Sequence, residues 1–503
     1  MNLRLYDVSK ILCFYLLLFS KAYGQLGFID GSAKLPNPNF SSWLQKGVAD
    51  MNNDGLDDIV RADTRGYFYI LKQQGNGNFT ADSLGQLQPP TPLSVVLGDV
   101  DNNGYNDILT GGEYNGVRIV RTNSDGISYQ TTRLPFDMIF TQASAMSDIN
   151  NDGLLDLFVC NDDSLNAIWK NNGNGNMVRS DMGFDFSILP SNKHSGNYGI
   201  VFTDFDNDGD IDAYISKCRV GVTDSTDKRR INQLFVNEGG IFKDQASKFG
   251  MADGRQSWIT EFQDIDNDGD MDAFIANHHA PSRLMLNNGT GYFTDITASS
   301  GLLETTPDGI LQAIMKDFDN DGYNDLIVSG MMGAKFFRNN GNLTFSNIDL
   351  SLLNTNVDKP LRSFAIGDLN HDGFLDIYAS YLYTNQDADK LWLNEKNTNH
   401  FIALNLTGTQ SNRSAVGAKI IVKAGSQTFT REVRAGESYG ISNSLTQYIG
   451  IGSNATIEQI EVRWPSGLKT KLNNIPIDQF LNITEQVCSG INCIPITAKV
   501  IKL

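Results

Sequence analysis

Nine-residue segments with aspartate or asparagine at alternating positions recur seven times along the 503-residue chain. Positions 1 and 9 are always Asp, positions 3 and 5 are Asp or Asn, and position 6 is always Gly. The side chains at these alternating positions and the backbone carbonyl at position 7 present oxygen atoms only. Such a set of donors is suited to binding a hard cation.

Calcium is the cation that this donor set predicts, because it takes 6–8 oxygen ligands at about 2.3–2.6 Å. Zinc or copper would call for His or Cys at the ligand positions, and neither occurs there. We predict up to seven Ca²⁺ sites, one in each segment, with side-chain ligands at positions 1, 3, 5 and 9 and the carbonyl of position 7. The predicted ligand residues are Asp50, Asn52, Asp54, Leu56 and Asp58; Asp99, Asp101, Asn103, Tyr105 and Asp107; Asp148, Asn150, Asp152, Leu154 and Asp156; Asp204, Asp206, Asp208, Asp210 and Asp212; Asp264, Asp266, Asp268, Asp270 and Asp272; Asp317, Asp319, Asp321, Tyr323 and Asp325; and Asp368, Asn370, Asp372, Phe374 and Asp376.

Two other interpretations of the segments fit the sequence less well. A single Asp/Asn/Gly loop is usually a solvated turn, but seven copies in register favour metal sites. An EF-hand needs Glu at position 12, where this chain has Arg61, Thr110, Val159, Ile215, Ile275, Val328 and Ala379. Copies four and five, with five Asp each, are expected to bind calcium most tightly, and copy two, with Asn103, most weakly.

The spacing of the segments predicts the elements that position them. Their first residues are 49, 49, 56, 60, 53 and 51 residues apart, a period typical of solenoids and propellers. A short apolar run follows each segment, as at 326–328, and most copies continue to an Asn-Gly hairpin turn, as at Asn340-Gly341. Fifty residues with two hairpins make one four-stranded blade. We therefore predict an all-β fold, a seven-bladed β-propeller with calcium-binding loops, followed by a small β-rich C-terminal domain.

Residues near the N-terminus are expected to close the ring. The hairpin turn of the fifth copy leads into the strand Gly291-Tyr-Phe-Thr-Asp295, but the seventh copy stops at Asn394 without an equivalent strand. The segment Gly27-Phe-Ile-Asp30 has the missing pattern. We predict that it pairs with residues 391–394 and completes the last blade.

The loop, the strand after it and the Asn-Gly hairpin recur together over roughly residues 25–395, and this combination resembles the integrin-α-like FG-GAP or VCBS propeller repeats. The resemblance implies that calcium lies in a hairpin loop between two strands of each blade. From residue 399 onward the acidic segments cease, and the Ser-Asn-Arg413, Val-Gly-Ala418 and Arg-Trp-Pro-Ser-Gly467 elements resemble the ASPIC/UnbV domain of the cartilage acidic protein and UnbV-like family. No chemistry is implied for that domain residue by residue.

These features divide the chain into four parts. Residues 1–24 hold a basic and apolar stretch typical of a cleaved signal peptide, with an uncleaved membrane anchor as the alternative. Residues 25–398 form the predicted propeller and residues 399–487 the ASPIC/UnbV-like β domain. The tail, 488–503, is either a sorting signal or a strand that packs on the domain, and Cys488 and Cys493 form either a disulfide or two free thiols.

The net charge and the absence of recognisable catalytic motifs exclude several classes of function. The formal net charge of −18 argues against nucleic-acid binding, and the seven segments hold 27 of the 58 acidic residues, which is more than the whole surplus. No catalytic triad, zinc motif or phosphate loop is recognisable, so an enzyme is not expected. We expect a secreted or cell-surface, monomeric module that recognises an extracellular protein or glycan, with calcium in a structural role. The alternative is a carbohydrate-active propeller, a lectin or a polysaccharide lyase, that uses the central channel face.

Overall fold

Seven four-stranded antiparallel sheets follow one another along the chain, and the first two strands of each sheet flank one of the acidic segments. The computed structural model describes residues 26–87, 92–136, 138–186, 190–302, 309–331, 333–350, 353, 361–381, 387–486 and 499–500. The predicted signal peptide and the two C-terminal cysteines lie outside these residues. The two α-helices described are single turns, Ala246–Phe249 and Thr297–Ser300, and no described helix has the length and apolarity to cross a membrane.

The first three blades use strands β2 to β13, and the N-terminal strand β1 spans Phe28–Asp30. Blade one contains β2 Lys46–Ala49, β3 Asp58–Ala62, β4 Tyr67–Gln73 and β5 Phe79–Gln86; blade two contains β6 Pro92–Gly98, β7 Asp107–Gly112, β8 Arg118–Thr122 and β9 Tyr129–Arg133; blade three contains β10 Thr141–Ser147, β11 Asp156–Asn161, β12 Ala167–Asn171 and β13 Met177–Arg179.

The other four blades use strands β14 to β28. Blade four contains β14 Asn197–Thr203, β15 Asp212–Lys217, β16 Gln233–Asn237 and β17 Phe242–Asp244; blade five contains β18 Ser257–Gln263, β19 Asp272–Asn277, β20 Arg283–Asn287 and β21 Phe293–Asp295; blade six contains β22 Ile310–Lys316, β23 Asp325–Gly330, β24 Gly333–Asn339 and β25 Phe345–Ile348; blade seven contains β26 Ser363–Gly367, β27 Asp376–Ser380 and β28 Lys390–Asn394.

The predicted seven-bladed architecture is confirmed. The first and second strands of every blade are almost wholly buried, because each sheet is covered on both faces by its neighbours. Trp169 is fully buried and Trp392 is 8% exposed, so both pack between blades and neither offers a surface for a sugar ring. The acidic segments all lie at one end of the ring, here named the loop side, and the opposite end is named the distal side.

The outer strand of blade seven comes from the other end of the chain. Strand β1 pairs antiparallel with β28, with Phe28 opposite Asn394 and Asp30 opposite Trp392. Lys390 and Asp30 form an ion pair of 2.8 Å across this junction, and the Gly31 backbone N–H donates to the Leu391 carbonyl. The junction therefore joins the beginning of the propeller to its end.

Deletion of residues 25–32 is expected to lower the melting temperature, because the last blade loses its outer strand and exposes the edge of β28. Differential scanning calorimetry of the truncated and full-length chains measures the effect. An unchanged melting temperature would contradict a role for β1 in closing the ring.

A second β-domain follows the propeller and confirms the predicted C-terminal module. Its strands are β29 His400–Thr407, β30 Lys419–Ala424, β31 Gln427–Glu432, β32 Gln447–Gly452, β33 Ile457–Arg463, β34 Lys469–Ile475, β35 Gln479–Thr484 and β36 Lys499–Val500. They form two sheets, in the orders β32-β29-β35-β36 and β31-β30-β33-β34. The end of the tail therefore pairs with β35, in which Leu481 lies opposite Val500.

The connection between β31 and β32 enters the propeller. Residues 433–444, here named the channel segment, hydrogen-bond the first strand of all seven blades. The contacts join Ser442 to Lys46 and Val48, Gly440 to Val95, Ala435 to Met146, Arg434 to Thr203 and Phe262, Tyr439 to Gln312, and Ser444 to Ile366. The channel is consequently filled by the C-terminal domain, a connection that the repeat pattern did not indicate.

Candidate metal centres

All seven acidic segments fold into the same tight loop. Position 4, which is Asn in six copies and His371 in the seventh, has φ between 55° and 63°, and the Gly at position 6 has φ between 84° and 99°. Glycine is favoured in this left-handed region because it lacks Cβ. The side chain at position 5 accepts a hydrogen bond from the backbone N–H of position 7 in every copy. The repeated sequence thus specifies a repeated backbone.

The aspartate at position 9 anchors each loop to the blade. It is the first residue of the second strand, and its Oδ1 accepts a hydrogen bond from the backbone N–H of the last residue of the third strand, at 2.8–2.9 Å in all seven copies. The residues at position 12 all lie within second strands, as expected for a propeller and not for an EF-hand. The loop is therefore held on a rigid base.

Four loops bring three carboxylates together. Each set comes from positions 1, 3 and 9, and one oxygen from each residue lies within 4.8 Å of the others. The sets are Asp99, Asp101 and Asp107; Asp204, Asp206 and Asp212; Asp264, Asp266 and Asp272; and Asp317, Asp319 and Asp325. These loops, two, four, five and six, are the candidate metal centres. Calcium affinities, including the ranking of copies four, five and two, remain predictions.

Loops one, three and seven carry Asn at position 3 instead. The Asn52 amide donates to the carboxylate of Asp54, and Asn150 donates in the same way to Asp152, at 2.9 Å each. Each amide oxygen remains as a candidate ligand, while the amide N–H₂ neutralises part of the charge at position 5. The structure therefore divides the seven predicted sites into four with a carboxylate triad and three without one.

Loop four fits a cation most directly. Three of its carboxylate oxygens, Asp204 Oδ1, Asp206 Oδ1 and Asp212 Oδ2, are buried atoms without a hydrogen-bond partner. Asp212 itself is only 1% exposed. In the other six loops the equivalent Oδ2 of position 9 accepts a backbone N–H from position 2. Buried carboxylates are normally paired or bound to metal, so the orphaned oxygens of loop four fit a dication.

The electrostatics of the loops also favour a cation. Burial, with a smaller contribution from nearby carboxylates in the same loop, raises the pKa of Asp212 and of Asp272 to about 9 and that of Asp264 to about 7. Burial likewise raises the pKa of Asp50 to about 7. A bound dication would reverse this unfavourable environment and keep the carboxylates ionised.

Stability without calcium is expected to fall as the pH rises. A folded-state pKa raised above the unfolded value means that the metal-free folded chain holds more protons, so its stability is full below about pH 4 and is lost as the pH rises through the raised values, up to about 9. Melting curves in chelator at pH 5 and pH 8 measure this, and the melting temperature should be lower at pH 8. With calcium in excess the loss should be suppressed, since the metal competes with protons for the carboxylates. A metal-free chain that becomes more stable between these pH values would contradict the assignment.

One group of structural residues was missed by sequence reasoning, which interpreted the Asn of the Asn-Gly hairpin only as a turn former. An Asn ends the third strand, directly before the Asn-Gly turn in three blades and before Glu395 in blade seven, and its side-chain amide donates across the blade boundary. Asn171 donates to Val100 O, Asn287 to Phe205 O, Asn339 to Ile265 O and Asn394 to Phe318 O, each at 2.7 Å. Each acceptor is position 2 of the acidic loop in another blade. The recurrence of this Asn in register with the acidic segments was the available signal.

Family models match both parts of the chain. The FG-GAP-like repeat matches residues 50–110, 148–215, 264–328 and 317–379, and the ASPIC and UnbV model matches residues 408–490. Cartilage acidic protein 1 of Xenopus tropicalis is 23% identical over 479 residues, which cover 84% of this chain and 71% of that protein. Cartilage acidic protein 1 of Mus musculus is 25% identical over 256 residues, 47% of this chain and 38% of that protein.

Two lectins are among the solved structures with low similarity to this chain. An Agrocybe aegerita lectin that recognises non-reducing terminal N-acetylglucosamine has a TM-score of 0.41 and 19% identity, over 61% of this chain and 79% of the lectin. The BP39L lectin from Burkholderia pseudomallei has a TM-score of 0.47 and 10% identity, over 70% of this chain and 96% of the lectin. These similarities are too low to indicate a function. The repeat pattern, the loops and the C-terminal module instead identify the chain as an FG-GAP-repeat protein with an ASPIC and UnbV domain, homologous to cartilage acidic protein 1.

Proposed function

We propose that this protein is an exported, calcium-binding β-propeller that recognises an extracellular protein or glycan, and that calcium stabilises the propeller without taking part in a reaction. The four carboxylate triads support the calcium part. The homology to a protein named for cartilage, an extracellular tissue, supports the extracellular part. We propose that loops one, three and seven, which lack a carboxylate triad, also bind calcium through their predicted ligand residues.

The position of the C-terminal domain indicates which surface of the propeller recognises the partner. That domain contacts the loop side, where Ser414 Oγ accepts the Asp99 backbone N–H at 2.9 Å and the Gly452 N–H donates to the Asn320 carbonyl. Its channel segment fills the centre of the ring. A carbohydrate-active site in the channel would need that space, so the filled channel favours a recognition role over a lectin or lyase site there. The distal side remains available to a partner.

Blade four supplies the most prominent feature of the distal side. The connection between its second and third strands is 15 residues long, 218–232, whereas the equivalent connections in the other blades have 2–9 residues. Long ordered loops on a rigid scaffold commonly carry binding residues. Arg219 anchors this loop to Asp162 and Asp163 at 3.0 and 2.7 Å, while Val220 is 82% exposed and Lys228 is exposed.

A capture experiment with matched surface variants tests this function. The full-length protein is immobilised and incubated with intact cells, extracellular matrix extract and a glycan array, with calcium or with chelator. The test variant carries Val220→Glu and Lys228→Glu on the distal loop. The control carries Lys423→Glu, an exposed position of the C-terminal domain.

We expect one partner whose capture is lost in the distal-loop variant and in chelator and is kept in the control. Equal capture by both variants would reject the distal side as the recognition surface. Turnover of a polysaccharide by the unsubstituted protein would favour the enzymatic alternative.

A further inference from the structure

Loop four lies at the boundary between the propeller and the C-terminal domain. Lys419, the first residue of β30, is 7% exposed, and its ammonium Nζ lies 3.3 Å from Asp204 Oδ2. The same Nζ donates to the side-chain oxygen of Asn207, at position 4 of the loop. A lysine of the second domain is therefore buried against the position-1 carboxylate of a candidate metal centre.

Glu432 of the C-terminal domain contacts the backbone of the same loop. Its Oε1 accepts the Asp204 backbone N–H at 3.1 Å, and its Oε2 accepts the Thr203 hydroxyl at 2.7 Å. Glu432 is 2% exposed, and Arg434 Nε donates to it at 3.0 Å. The end of β14 and the first residue of loop four are thus fixed by a side chain of the other domain.

The other triad loops lack a lysine contact of this kind among the described residues. Arg413 approaches loop two, but its Nε lies 3.7 Å from Asp99 Oδ2 and the residue is half-buried. In loop six, Arg338 of the propeller contacts Asp319 and Asp321 at 2.7 and 2.8 Å. The C-terminal domain contributes Arg431 there, which donates to the backbone carbonyl of Gly322 at 3.3 Å. Loop four is also the loop in which three carboxylate oxygens have no partner.

We propose that loop four is an interdomain cation site and that Lys419 sets its affinity. This inference rests on the proposed calcium function and adds a residue from outside the repeat. The buried ammonium repels a dication held by Asp204, Asp206 and Asp212, and it stabilises the loop when no metal is bound. Because binding couplings are reciprocal, a cation in loop four weakens the contact of Lys419 with the propeller to the same extent that Lys419 weakens the binding of that cation.

The test is a calcium titration of the full chain by isothermal calorimetry. Lys419→Met removes the charge and keeps most of the unbranched side chain, and Lys419→Gln is a second neutral variant. Removal of one positive charge beside a dication should tighten one site per chain on the order of tenfold. Lys423→Met, four residues further along the same strand and exposed, is the matched control and should leave every site unchanged.

Variants that remove the ligands of one loop show which calcium site is tightened. The tightening should disappear when loop four carries Asp206→Ala and Asp208→Ala, and it should persist when loop five carries Asp266→Ala and Asp268→Ala. Unchanged or weaker binding in both Lys419 variants would overturn the role of Lys419, as would tightening that survives the loss of loop four. Complete absence of calcium binding in the unsubstituted chain would overturn the metal assignment, whereas loss of partner capture alone would not affect this inference.

Discussion

Removal of calcium should lower the melting temperature of the propeller by on the order of 10 °C. A site held at about 100 times its dissociation constant contributes about 2.7 kcal/mol, and the four carboxylate triads would together contribute on the order of 11 kcal/mol. The unfolding entropy of about 2 cal/mol/K per residue converts such a loss into a shift of this size for a propeller of this length. Differential scanning calorimetry with calcium and with chelator measures the shift.

Readdition of calcium is the control for the chelation experiment, since it should restore the original melting temperature. Magnesium should restore less, because it requires near-octahedral geometry and retains water. A melting curve that does not respond to chelator would contradict metal binding by the loops.

The second large effect is expected from Arg434→Met in the channel segment. The guanidinium pairs with Glu432 and lies 3.6 Å from Glu437, and both glutamates are buried. Removal of one partner from a buried ion-pair network leaves uncompensated charge, which costs about 3–5 kcal/mol. Because Arg434 also donates to Phe262 O in blade five, the loss should appear as weaker docking of the C-terminal domain.

Urea unfolding and limited proteolysis of the channel segment measure this loss. Arg463→Met is the matched control, since Arg463 is about half exposed and its partner Glu461 keeps a second cation, Lys471, at 2.7 Å. Ion pairs with a solvent-exposed partner contribute about 0–1 kcal/mol. Equal stability of the two variants would show that the channel segment does not hold the domains together.

The repeat pattern was sufficient to predict the ring because every copy has the same local backbone requirements. Position 6 must be Gly for a left-handed turn, position 9 begins a strand, and both requirements are met within nine residues of sequence. The pattern was also sufficient to identify the candidate ligands. The pattern could not show which loops bring three carboxylates together and which do not. That difference depends on side-chain geometry and on hydrogen bonds such as that of Asn150 with Asp152.

The interdomain contacts could not be predicted in the same way. Lys419 and Asp204 are 215 residues apart in the chain, and no periodicity connects a repeat with a domain that occurs once. The sequence of the channel segment is that of an ordinary loop, and residues such as Arg434, Glu437 and Tyr439 do not indicate its role. Its role depends on the shape of the ring that it enters.

The number of calcium ions bound per chain tests the central claim most directly. Equilibrium dialysis against radioactive calcium should give at least four ions for the unsubstituted protein, one for each carboxylate triad. The double variant Asp206→Ala and Asp266→Ala, which removes one triad residue from loop four and one from loop five, should bind two fewer with the propeller still folded. Absence of bound calcium in the unsubstituted chain, or an unchanged number in the double variant, would contradict the assignment of these loops as metal centres.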